Sequence, residues 1–160
     1  MTIKTKATEG VFVEDLSAKT YAYEDVLKKS IAYFNGDELA ATTWMNKYAM
    51  MNDEGEFVEQ SPDDMHNRMA KEFARIENDY ALRYDLNGGA KFLSEYGQKR
   101  GPLTEEKIYN LFKGFGYIIP QGSVMSSLGN HYKLASLSNC IVVPEMHDSY
   151  GGVFYTDQQL

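Results

Sequence analysis

Residues 61–80 read SPDDMHNRMAKEFARIENDY and hold the clearest helix start in the chain. Ser61 suits the N-cap, Pro62 suits the first helical position because its φ is already set, and Asp63 and Asp64 place negative charge at the positive end of the helix dipole. The apolar residues Met65, Met69, Phe73, Ile76 and Tyr80 then follow at steps of four, four, three and four, which puts them on one helical face. Arg68, Lys71, Glu72 and Glu77 are expected to face water. A packed, core-facing helix is the prediction, and it sets a helical frame for its neighbours.

Upstream, Tyr23, Val26, Leu27, Ile31 and Phe34 recur at helical spacing, and Asn35-Gly36 supplies residues that tolerate a left-handed stop. Asp37 can cap a second helix through Leu39, Trp44, Met45 and Tyr48, ending in the polar turn 51–55. So tight a junction predicts an antiparallel pair. Residues 1–22 are expected to be a loose arm with one strand-like anchor, Val11-Phe12-Val13.

Downstream, Asn87-Gly88-Gly89 opens a stretch rich in turn and charged residues, and 88–102 is expected to be a linker or insertion. Thr104, with Glu105 and Glu106 behind it, starts another helix carrying Ile108, Leu111, Phe112 and Phe115, whose end Gly114 and Gly116 weaken. The helical domain is thus predicted over 23–116. Beyond it the pattern changes. Residues 117–120 are short, apolar and stopped by Pro120, and 136–143 reads as a buried strand with Ile141, Val142 and Val143 in a continuous apolar run. Between them, 121–130 is a small-residue loop of the kind that lets backbone approach a ligand. Asp148-Ser149 can cap a last helix with Tyr150, Val153, Phe154 and Leu160 on its stripe. Its periodicity reaches the final residue without a stop signal, so the chain is expected to be cut from a longer one.

With 43% hydrophobic and 13% aromatic residues, 160 residues suffice for one core rather than two. The formal charge of −7 opposes binding to nucleic acid or to an anionic membrane surface. No apolar run is long enough to span a bilayer and no signal-peptide core begins the chain, so a cytoplasmic location is expected. The single cysteine, Cys140, excludes an internal disulfide. His66, His131 and His147 match no short metal motif, and surface or capping roles outweigh ligation for each. Asp53, Glu54, Glu56 and Glu59 sit among turn residues, so a solvated loop outweighs a catalytic pair. Gly114-Phe115-Gly116 follows a helix rather than a strand, the wrong context for a dinucleotide site. Gly151-Gly152 lies at a helix start, where plain capping outweighs phosphate binding. On the residues alone, Cys140 is a small hydrophobe on an apolar strand.

Residues 118–148 resemble the N-terminal part of ribonucleotide reductase large subunits, and the run from Tyr23 is most similar to the adenosylcobalamin-dependent, class II branch. The resemblance is carried by residues 33–40, 63–66, 70–77, 119–123, 136–140 and 148–152, in that order. It implies an α/β fold, with the helical N-terminal region leading into a ten-stranded α/β barrel that begins in 117–160. It also implies a ribonucleoside-diphosphate reductase with adenosylcobalamin as cofactor, held mostly outside this chain.

In that family the cysteine of the first barrel strand, here Cys140, is one of two thiols that reduce the ribonucleotide. The resemblance places Ser138 and Asn139 beside the substrate and gives Gly122, Ser123 and Val124 its phosphates. The commoner family loop carries a Ser-Pro-Thr run where this chain has Gly122-Ser123-Val124, so a threonine hydroxyl at the third place is lost. Asp148, with Ser149, corresponds to the site of the allosteric deoxynucleotide, one residue further from Cys140 than usual. A homodimer and a thioredoxin-like reductant are the implied partners. The alternatives are a class I large-subunit fragment, which would need a radical subunit, and a noncatalytic helical interaction module.

Overall fold

A computed structural model describes residues 19–83, 94–143 and 145–159. The expected anchor at Val11-Phe12-Val13 and the Asn87-Gly88-Gly89 turn lie outside them. Helix α1 spans Tyr23–Tyr33 and ends where the sequence predicts, with Asn35 at φ 55° and Gly36 at φ 95° turning the chain. Helix α2 spans Glu38–Lys47 and is capped by Asp37, whose Oδ1 accepts the Ala40 N–H at 2.9 Å. The two pack against each other, burying Val26, Trp44 and Met45, although Leu39, predicted for the apolar face, stays exposed.

Helix α3 spans Pro62–Arg83 and runs through the middle of the core. Met65 and Met69 are wholly buried, and each such side chain contributes about 1.5–3 kcal/mol relative to exposure. Phe73 and Ile76 are partly buried against the same core, and by Tyr80 the predicted stripe has left it. The buried face is wider than that stripe: His66, Ala70 and Ala74 are inside as well.

Within the predicted linker the short helix α4, Glu95–Arg100, forms because Ser94 Oγ caps the Gly97 N–H at 3.1 Å. Arg100 ties it to α3 through Glu77 at 2.9 Å. Helix α5, Glu105–Phe112, starts at Thr104, whose Oγ1 accepts the Lys107 N–H, and lays Ile108 and Phe112 against α3. A 3-10 turn over Lys113–Phe115 ends it, with Gly114 at φ 64°.

After Gly116 the expected strands are absent among the described residues. Residues 117–120 and 136–143 pair with no neighbour, and the only bridges described are isolated ones from Phe57 to Tyr21 and Met51. A strand needs a partner for its alternate N–H and C=O groups, and none is supplied here. Ile141 and Val142 are 79% and 95% exposed, so the run predicted to be buried is open, and Cys140 is exposed with it. The predicted loop 121–130 instead contains a six-residue helix, α6, over Gly122–Ser127. The last helix, α7, covers Tyr150–Asp157, and its predicted apolar residues Tyr150, Val153 and Phe154 are exposed. No helix among the described residues is long and apolar enough to cross a membrane.

Candidate functional site

Helix α6 is too short to be stable by itself, and Gln121 gives it no side-chain cap. Tertiary contacts hold it: Met125 and the capping residue Leu128 are buried in the helical core. Its C-terminal carbonyls are met by a side chain from α3. Arg68 donates from Nη2 to the Met125 carbonyl at 2.9 Å and from Nη1 to the Leu128 carbonyl. Arg68 and Glu59 form a buried ion pair, with Nε to Oε1 at 2.7 Å and side-chain exposures of 7% and 3%. Glu59 Oε2 also accepts the Met50 N–H at 2.8 Å. Both residues were expected in water. Their burial is tolerated because charge meets charge and the remaining donors and acceptors find backbone partners. Gly129, at φ 73°, leaves α6 directly against α3. A Cβ there would sit 3.1 Å from Arg68 Cγ and 3.2 Å from Glu72 Cβ.

The other end of α6 reaches the segment before the cysteine. Ser123 Oγ donates to the Leu137 carbonyl at 2.8 Å, the Ser123 N–H donates to Asn139 Oδ1 at 3.3 Å, and Asn139 Nδ2 donates to Gln121 Oε1. The structure thus joins Gln121 and Ser123 to Leu137 and Asn139, next in sequence to Cys140, through side chains rather than a strand ladder, while Val124 packs on the core and Gly122 lies against Tyr48. The amides expected to hold phosphate are partly engaged: Val124 donates to the Gln121 carbonyl and Ser123 to Asn139. Ser138 donates its N–H to Ser136 Oγ at 3.1 Å.

Asp148 and Ser149 lie at the start of α7, where Ser149 Oγ caps the Gly152 N–H at 3.0 Å. Ser149 takes the capping role, and the exposed Asp148 carboxylate makes no hydrogen bond or ion pair with a described residue. Gly152 is needed for close approach, since a Cβ would fall 2.4 Å from the His147 carbonyl oxygen.

A second polar cluster sits where α1, α3 and α5 meet. His66 is wholly buried, with its ring 4.7 Å from Phe115 in an edge-on contact and stacked on Phe112 at 6.3 Å. Neither ring nitrogen has a hydrogen-bond partner. It is a core residue, not the surface or capping histidine expected. Burial holds its pKa below the usual imidazole value, with the Asp63 charge opposing. The Tyr33 hydroxyl is buried and unpaired, and burial raises its pKa; the nearby Gly114 backbone acts the other way without reaching hydrogen-bond geometry. Tyr109 donates to Asp63 Oδ1 at 2.7 Å, and chiefly that bond pushes its pKa up to about 12. An open cleft of about 370 Å³ beside this cluster is lined by Tyr33, Asp63, Lys113 and Phe115, among others.

Among the described residues no group of three His, Cys, Asp or Glu side chains could hold a metal ion, and the buried imidazole of His66 is enclosed by aromatic rings. Asp53, Glu54 and Glu56 are exposed in their turn, as expected.

A family model described as "Ribonucleotide reductase, all-alpha domain" matches residues 34–131. Comparison with curated proteins and with solved structures found no match. The matched stretch begins at the end of α1 and runs through α6 to just beyond Gly129.

Proposed function

The chain belongs to the ribonucleotide reductase family, as part of the all-alpha N-terminal region of its large subunit, and from that premise we propose that Cys140 is one thiol of the pair that reduces the ribonucleotide. The single observation that supports this reading is the junction of α6 with 137–139: three hydrogen bonds join Ser123 and Gln121 to Leu137 and Asn139 immediately before an exposed cysteine. The reaction replaces a 2′-hydroxyl by hydrogen. Two thiols supply two electrons and two protons, the hydroxyl leaves as water, and the thiols become a disulfide that an external dithiol resets. Cys140 is the only cysteine of these 160 residues, so the second thiol comes from elsewhere in the protein.

In this proposal Ser138 and Asn139 face the sugar, and Gly122, Ser123 and Val124 face the phosphates. The Gly122 amide is the donor left for them once the internal hydrogen bonds are made, and the Ser123 hydroxyl reaches them by exchanging its bond to the Leu137 carbonyl. Asp148 and Ser149 bind the deoxynucleotide effector. Asp148 accepts a sugar hydroxyl, and Ser149 still has its own hydroxyl proton to donate while it caps α7. The exposed apolar residues of 117–119, 141–142 and 150–155 pack in the barrel and against a second subunit. Adenosylcobalamin, the cofactor this reading implies, would supply the radical, and a thioredoxin-like protein would supply the reducing equivalents.

The test is Cys140→Ser in the full-length protein, assayed with ribonucleoside diphosphate and excess dithiol. The variant is expected to melt within a few degrees of the parent, because serine is nearly isosteric with cysteine, and to lose multiple turnover by orders of magnitude. Turnover at the parent rate would remove Cys140 from the chemistry. The same assay run without adenosylcobalamin but with a radical subunit separates the classes, since sustained activity there would make the protein class I.

A further inference from the structure

We propose that Arg68, held by Glu59, is a positioning residue that sets the substrate-facing end of α6 from its far end. The proposal rests on the assignment of 122–124 and 138–140 to the substrate side. The guanidinium sits between two structures that share no other polar link described here. On one side, Glu59 fixes it with Nε to Oε1 at 2.7 Å and Nη2 to Oε2 at 3.5 Å, and Glu59 is itself fixed by the Met50 N–H. On the other side, it grips the Met125 and Leu128 carbonyls, which belong to the last turn and the cap of α6.

Packing alone does not call for this arrangement. A buried ion pair carries a desolvation cost that apolar side chains of similar volume avoid, so it is weak evidence for added stability. What a guanidinium adds is direction: a rigid planar fork whose donors reach several acceptors at fixed angles. Here the fork orients a helix of six residues that has no N-terminal side-chain cap. From that helix Ser123 projects its amide and hydroxyl to Asn139 and Leu137. The register of the chain before Cys140 is therefore set, through α6, by a side chain of α3. Gly129 completes the joint: its φ of 73° favours glycine, and a Cβ there would press on Arg68 Cγ and Glu72 Cβ.

Arg68→Lys tests this in the full-length protein. An ammonium can keep the charge pair with Glu59, but its donors all sit on one nitrogen and lack the spread with which Arg68 Nε, Nη1 and Nη2 reach Glu59 and both carbonyls. Glu59→Gln is the second variant, which keeps an acceptor for Nε and removes its charge. With a ribonucleoside diphosphate as substrate, both are expected to raise KM about tenfold with kcat held within about threefold, as a misplaced binding edge requires. Ser123→Ala should raise KM similarly. Combined with Arg68→Lys it should add little, because both act through α6. A lowered Tm with KM unchanged would reduce Arg68 to a structural role, and fully multiplicative effects with Ser123→Ala would overturn the route through α6. Cys140→Ser, run in parallel, separates the two claims. If that variant abolishes turnover while Arg68→Lys leaves KM alone, the positioning role falls and the thiol assignment stands. If Cys140→Ser turns over normally, the thiol assignment falls first.

Discussion

Replacing Gly129 by alanine perturbs the joint between α6 and α3 at one atom. Two costs arise. The backbone at φ 73° lies in the left-handed region, which costs an L-residue about 1–2 kcal/mol. The added Cβ would also meet Arg68 Cγ at 3.1 Å, Glu72 Cβ at 3.2 Å and the Arg68 carbonyl oxygen at 3.4 Å, and overpacking of this kind costs about 1–3 kcal/mol. Gly55→Ala is the nearer control, because Gly55 has φ 80° and no atom within 4 Å of the new Cβ. Both substitutions reduce the freedom of the unfolded chain alike and meet similar left-handed strain, so those contributions largely cancel in the comparison. Gly129→Ala should therefore lose about 1–3 kcal/mol more than Gly55→Ala in urea unfolding. At about 2–4 °C per kcal/mol for a chain of this size, the gap is also visible by thermal melting. Equal losses would show that α6 does not pack on α3 as described, and the route from Arg68 to Ser123 would lose its support.

Two further outcomes concern the aromatic cluster. Burial depresses the His66 pKa in the folded state, so the unfolded chain binds the extra proton more readily; stability should fall as pH drops through about 6.5 toward the lower folded value. His66→Phe should flatten that dependence in urea titrations between pH 7 and 5, and an unchanged slope would assign the acid sensitivity to other groups. Tyr109→Phe removes the 2.7 Å bond to Asp63 and should cost about 1 kcal/mol. In the parent, ultraviolet titration should place this phenol near 12, so stability declines as pH rises from 10 toward that value, and an ordinary phenol titration would break the pairing.

Local signals in the sequence located most of the helices, because each acts within one turn. Asn35-Gly36, Asp37, Thr104 and Gly114 all do in the structure what their chemistry predicts. Arg68 and Glu59 were placed in water because each looks like a surface residue when only its near neighbours are counted. A signal was present: Arg68 lies three residues after Met65 and four before Glu72, at the edge of the apolar stripe. The acceptors that make its burial possible, Met125 and Leu128, are 57 and 60 residues away. Helix α6 was unreadable for the same reason, since it has no cap and its order comes from distant partners. His66 falls outside the stripe of five side chains, whereas α3 is enclosed on a broader arc, with Tyr33, Phe112 and Phe115 around the imidazole.

The segment around Cys140 shows the opposite relation between pattern and structure. Leu137, Ile141 and Val142 have the composition of a strand covered on both faces, yet all three are exposed here, and among the described residues the segment is tied to α6 by the polar contacts of Ser123 and Gln121. Apolar patterning records the environment in which a side chain ends up, whereas hydrogen bonds such as those of Ser123 can form before that environment exists. The two observations agree if α6 presents residues 137–140 in an extended form to neighbouring strands. On this view, the helical domain contributes a preset starting strand to the proposed barrel. Under the proposed function, Arg68 matters most at the step where Cys140 is brought into line with the ribonucleotide.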